Sequence, residues 1–261
     1  MLITMSVPLF IFATTICRIL LDYQWDPEGS LSEILNHQSD TSKLNGTYLP
    51  VLDRLLVGQY GRKRDQLIRE YHIVLGTIIL LESPLSLYAL ANFLGRPENF
   101  LETRLNSLHS VLDIPLNKMM PIRAFHLSLR DFLVNADTRE NTPLWIDEKE
   151  INQDLTTCCL RVMKQNLKKN ICNLQSYGTK RMTVNRQYIS DRLPLELQYS
   201  CRYWTHHLTY SRDAISLSDK IFGFLNDHFL HWMEAMSLLG AISDVLRSIN
   251  ALKLVMQVSH Y

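Results

Sequence analysis

Residues 75–134 read LGTIILLESPLSLYALANFLGRPENFLETRLNSLHSVLDIPLNKMMPIRAFHLSLRDFLV, and the order of signals in them decides the fold. Leu87, Leu90, Ala91 and Leu94 recur at i, i+3, i+4 and i+7, one face of a helix. Ser86 suits its N-cap, Gly95 supplies a left-handed stop, and Pro97 forbids continuation. Leu101, Leu105, Leu108 and Leu112 make the stripe of a second helix, with Pro97, Glu98 and Glu102 suited to its positive end. Pro115 and Pro121 then punctuate a chain that includes an extended run, Ile122 to Phe125, and SLRDFLV resumes a helix at Ser128. Helix, tight turn and helix, followed by a short hairpin between about Leu112 and Phe125 and a closing helix, predict a winged helix.

A helix-turn-helix invites a DNA-binding reading, which the charges oppose. The second helix opens with Glu98, Asn99 and Glu102, and Arg104 is its one base before His109. A recognition helix inserts its N-terminal residues into the major groove and should not lead with carboxylates. The chain carries 27 basic and 26 acidic side chains, a net +1 with no footprint for a phosphate backbone. A winged helix used as a packing module fits better, and a DNA-associated winged-helix protein is the alternative.

Working outward, 261 residues at 46% hydrophobic suffice for about two modules with a substantial core. Leu-rich runs of helical period predict a mainly α fold in which the winged-helix module is followed by an α-helical array. Before the module, YLPVLDRLL predicts a helix, as does the run from Arg62 to Leu81. After it comes a polar linker, NADTRENTP, then helices over Asp147–Leu174 and Leu195–Leu208 and a long pair across Leu217–Gln257. Lys164, Lys168 and Lys169 suit the negative end of the first of these. Residues 175–192 read as irregular. Leu238, Ile242, Val245, Leu246, Ile249 and Leu252 keep helical spacing near the end.

Five cysteines, Cys17, Cys158, Cys159, Cys172 and Cys201, match no zinc signature and predict small core residues in a reduced, cytoplasmic setting. The apolar stretch MLITMSVPLFIFATTICRILLDY has no basic leader and is broken by Thr4, Ser6, Pro8, Thr14 and Thr15. It predicts a buried helix, with Phe10, Ile11, Ile16, Ile19 and Leu20 inward, rather than a signal peptide or membrane span. Leu31–Leu35 shows one further helical turn in a polar region.

Several stretches together resemble a known family: SVPLFIFATTICRIL, WDP at Trp25–Pro27, LGTIILLESPLSLYALANFLG, LNSLHSVLDIP, FHLSLRDFL and QYSCRYWTHHL at Gln198–Leu208. Their order is similar to the region that follows the NACHT nucleotide-binding core in fungal STAND NTPases of the vegetative-incompatibility type. The resemblance runs from about Val7 to Leu254. It implies a remnant of the NACHT-like helical region over residues 1–60, a winged helix over 61–135 and a helical linker or array over 136–261. It also implies ATP-dependent switching in the whole protein. No Gly-x-x-x-x-Gly-Lys-Ser/Thr occurs in the sequence, so no phosphate-cradling loop is expected here. The expectation is a non-catalytic regulatory or scaffold element, with the look of a slice of a longer ancestor. ADP or ATP enters only if the chain is joined to a NACHT core. Its partners would be proteins or the missing domains of that architecture, without nucleic acid or membrane.

The resemblance places one residue at a phosphate. FHLSLRDFL is similar to the segment whose winged-helix histidine touches the bound diphosphate in STAND proteins, which makes His126 a candidate nucleotide sensor. An imidazole can donate to phosphate oxygens, more strongly when protonated. The competing reading has its ring nitrogens bridging local backbone groups. Arg123 and Arg130 are nearby bases better suited to surface salt bridges. His228, His231 and Glu234 share a helix at metal-like spacing, but Phe229, Trp232 and Met233 interleave with them and favour partly buried helix residues. Ser128, Asp131 and His126 match a catalytic triad in composition only. His206 and His207 point to different faces.

Overall fold

The computed structural model describes residues 17–18, 43–176, 178–213 and 215–257. The expected N-terminal core helix, the WDP motif and the turn at Leu31–Leu35 lie outside the described residues. The chain divides into two units: residues up to Leu87 with Glu98–Asp147, and Tyr88–Pro97 with the residues from Glu148 onward. The described residues are mainly helical, with one short two-stranded antiparallel sheet among them.

In the first unit α1 spans Lys43–Arg54 and α2 spans Gly61–Leu80. The link between them turns at Gly58 and Gly61, both at positive φ (71° and 56°), a region that glycine enters without Cβ strain. The polar first half of α2 stays largely accessible, while Tyr71, Val74, Leu75, Ile78 and Ile79 in its second half are buried. The predicted helix before Gly95 is α3, Leu87–Leu94, and Gly95 takes the left-handed stop at φ 66°. Tyr88–Pro97 sorts with the second unit, so the two helices of the predicted helix-turn-helix fall in different units.

The next helix, α4, covers Glu98–Leu105 and ends earlier than its leucine stripe predicts. Asn106, Ser107, His109 and Ser110 are weak helix formers that compete for backbone groups. Leu108 and Leu112 are nonetheless fully buried. The hairpin forms where expected. β1 (Leu112–Asp113) pairs antiparallel with β2 (Arg123–Ala124), Leu112 opposite Ala124. The Ile122 N–H donates to the Leu85 carbonyl at 2.9 Å and anchors the returning strand. Helix α5 follows at Ser128–Val134 and buries Leu129, Phe132 and Leu133.

The stretch expected to be a polar linker, residues 135–143, is mostly exposed, and it is pinned at two threonines and by the residues that follow it. Asn135 caps a 3-10 turn, Ala136–Glu140, by accepting the Asp137 N–H at 3.0 Å. Thr138, Thr142, Leu144 and Ile146 are buried. Ile146 donates its N–H to Leu133 at 2.8 Å, so alternate apolar side chains hold the segment down.

In the second unit α6 spans Glu148–Asn166, shorter than the predicted helix to Leu174. Asn170 and Asn173 turn the chain at φ 53° and 46°, which asparagine tolerates better than most residues. Lys164 lies in the last turn as predicted, and Lys168 and Lys169 lie beyond it. Residues 175–192, expected to be irregular, contain a 3-10 turn at Arg181–Thr183 and α7 at Arg186–Arg192, capped by Asn185. This helix buries Ile189 alone, so it carries no periodic signal. Helix α8 spans Leu195–Tyr210, α9 Ser218–Leu238 and α10 Ile242–Gln257.

Helix α8 packs most extensively on α6. At the centre Trp204 meets Phe224 and Trp232 edge-on, with ring centroids 5.6 and 5.7 Å apart. The Trp232 indole N–H donates to the Cys201 carbonyl at 2.9 Å. Of the late apolar positions, Leu238, Val245 and Leu252 are buried, whereas Ile242 and Leu246 are exposed. No described helix is long and apolar enough to cross a membrane. Cys159, Cys172 and Cys201 are buried as predicted, and Cys17 is exposed, against that expectation.

Candidate functional site

His126 lies in the short link between β2 and α5. The Phe125 N–H donates to the Val111 carbonyl at 3.2 Å on one side, and the buried face of α5 anchors the other. The side chain is exposed. Its Nδ1 accepts the Ser128 N–H at 3.1 Å and lies 2.8 Å from Ser128 Oγ. Ser128 Oγ is in turn 2.8 Å from the phenol oxygen of Tyr48 on α1. Tyr48 is almost wholly buried, and its ring packs on Phe132 with centroids 5.3 Å apart. Burial pushes the phenol's pKa up, against the hydroxyl of Ser128, with Asp131 adding to the rise.

The imidazole therefore bridges a local backbone group, as the competing reading describes, and also ends a relay that starts in the core. Arg123 and Arg130 are exposed on either side of it in sequence. The guanidinium of Arg18 stacks over the Phe125 ring at 3.4 Å. Ser128 and His126 do meet, but among the described residues no hydrogen bond joins the Asp131 carboxylate to the imidazole. Nδ1, which an orienting carboxylate would need, already faces Ser128.

Sequence reading missed Tyr48 altogether. It is 80 residues from Ser128, and an apolar helix face offers no sign of a distant hydroxyl partner. Also unforeseen is a cleft of about 260 Å³ beside the hairpin, lined by Leu87, Leu105, His109, Leu116, Lys118 and Met120 among others. At its edge Lys118 pairs with Glu102 and lies 3.5 Å from Glu98. Across the same helix Arg104 meets Glu70 at 2.6 Å.

The other constellations are taken up structurally. His228 and His231 place their Nδ1 atoms 3.3 Å apart. Glu234 turns away to accept the backbone N–H groups of Asn170 (2.9 Å) and Ile171 (3.0 Å). Among the described residues no three His, Cys, Asp or Glu side chains group as a metal site. His207 is fully buried, 2.7 Å from both the Tyr199 hydroxyl and Asn152 Oδ1. Burial, helped by neighbouring His206, lowers its pKa to about 3.

Over 274 aligned positions the chain is 24% identical to the vegetative incompatibility protein HET-E-1 of Podospora anserina. The chain is similar to a fungal incompatibility protein. The match takes in 94% of the chain but 19% of that protein, so the chain spans about a fifth of the relative's length. No family model matches the chain. No solved structure matches it.

Proposed function

We propose that this chain is a non-catalytic regulatory or scaffold element of a STAND-type, signal-transducing switch, with residues 61–135 serving as its winged helix. The observation that carries the reading is the match over 94% of the chain to an incompatibility protein. The hairpin Leu112–Ala124, set between α4 and α5, supports the winged-helix assignment. The exposed imidazole of His126, at the hairpin's exit, supports a role in reading a nucleotide diphosphate held by a NACHT core. The absence of a phosphate loop from the sequence supports the non-catalytic part. The ion pairs of Lys118 and Arg104 weigh against DNA binding, since both bases already have carboxylate partners.

The test joins the chain to a NACHT core and follows release of ADP. His126→Ala is expected to speed release and bias the protein toward its open form, through loss of one contact worth about 1.5–3 kcal/mol. Equal off-rates for wild type and variant would leave His126 a structural residue. A salt-dependent shift of generic duplex DNA by the chain alone would favour the DNA-associated alternative instead.

A further inference from the structure

We propose that Tyr48 and Ser128 are positioning residues that hold the His126 imidazole as an Nε2–H donor, so that it meets a phosphate with a proton rather than a lone pair. The inference rests on the reading of His126 just given, and it concerns how the ring is set rather than whether it is used.

A backbone N–H only donates, and the Ser128 N–H is directed at Nδ1 at 3.1 Å. Nδ1 must therefore present its lone pair, and the proton of the neutral ring sits on Nε2. Ser128 Oγ lies 2.8 Å from Nδ1 and 2.8 Å from Tyr48 Oη, so this hydroxyl joins the two. If Tyr48 donates to Ser128 Oγ, the serine proton turns toward Nδ1 and shares its one lone pair with the Ser128 N–H, so no two protons face each other. The reverse order needs a proton on Nδ1, which would then face the Ser128 N–H. Burial keeps the Tyr48 phenol protonated and able to donate. A phosphate oxygen accepts hydrogen bonds, so the tautomer with Nε2–H outward suits it and the other repels it. Because Tyr48 sits on α1 and packs on Phe132 of α5, the setting of an exposed ring is referred to the core of its unit.

The experiment uses the full chain labelled with nitrogen-15 and reads the His126 ring nitrogens by long-range proton–nitrogen correlation, with His126→Gln assigning the signals. Inorganic pyrophosphate is then titrated as the phosphate probe. Wild type is expected to show Nε2 protonated and Nδ1 shifted as a hydrogen-bond acceptor. Tyr48→Phe and Ser128→Ala should each move the Nδ1 signal and weaken pyrophosphate binding by about threefold to tenfold. Ser128→Thr, which keeps the hydroxyl, should restore both. Ring signals unchanged in Tyr48→Phe and Ser128→Ala would overturn the positioning role. Should Tyr48→Phe lose the near-ultraviolet circular dichroism of the folded chain, Ser128→Ala and Ser128→Thr decide the matter. If the ring signals respond to the variants and pyrophosphate leaves Nε2 untouched in wild type, the positioning role stands and the phosphate reading falls.

Discussion

The guanidinium carbon of Arg161 lies 3.2 Å from the point that a Cβ on Gly95 would occupy. From there its Nη2 donates to the carbonyls of Asn92 and Phe93 in the last turn of α3. The same device recurs at Gly240, where Arg181 donates from Nε to the Leu238 carbonyl at 2.7 Å. In both places glycine supplies a left-handed backbone and also the space for the arginine that caps the helix.

Gly95→Ala should therefore destabilise the chain by about 1–2 kcal/mol from left-handed strain, with a further loss from the displaced guanidinium. In an Arg161→Ala background the steric part disappears, so the two single losses should sum to more than the double variant shows. Urea unfolding of the four proteins measures this. Strict additivity would show that the close approach carries no energy.

His207 sets a pH dependence. Its pKa is about 3 folded, held down by burial and then by His206, against an ordinary value of 6.5. The neutral ring is the folded form, so its contribution is whole above pH 6.5 and is lost as pH falls from there toward 3. The expected slope is at most about 1.4 kcal/mol per pH unit within that window. Stability measured from pH 7 to 4 in wild type and His207→Gln tests it, and the variant should show a shallower decline. Parallel curves would remove His207 as the cause.

Glu234 should prove to be a loop anchor. Glu234→Ala strands two N–H groups and is expected to cost about 1–3 kcal/mol. Amide exchange at Asn170 and Ile171 should quicken more than elsewhere in the second unit. Glu234→Gln keeps one acceptor oxygen and should lose less. Unchanged exchange at those two amides would show that the carboxylate does not hold the loop.

Cysteine reactivity should follow burial. Burial raises the thiol pKa of Cys159 well above its ordinary range and takes that of Cys201 to about 12. Cys17 is exposed. Timed alkylation followed by mass spectrometry should label Cys17 first and Cys159 and Cys201 last. Early labelling of Cys201 would mean that the core around Trp232 opens readily.

Sequence alone determined what depends on near neighbours. Gly95, Pro97 and the leucines of α3 act within a few residues, so the helix and its left-handed stop were legible. So were the hairpin between Leu112 and Phe125, the helix that opens at Ser128 and the long helical pair across Leu217–Gln257, because caps, prolines and periodicity are local chemistry. His126 was singled out by resemblance, and its neighbour Ser128 was visible two positions away. Tertiary structure decided the rest. Leucine spacing could not reveal that α4 ends at Leu105, because Leu108 and Leu112 are buried whether they sit on a helix or in a turn and strand. NADTRENTP read as a polar linker and is mostly exposed, yet Thr138 and Thr142 within it are buried. Tyr48 reaches Ser128 across 80 residues, and Glu234 finds Asn170 across 64. Partners so far apart are set by how helices pack, and a single chain of letters carries no record of that distance.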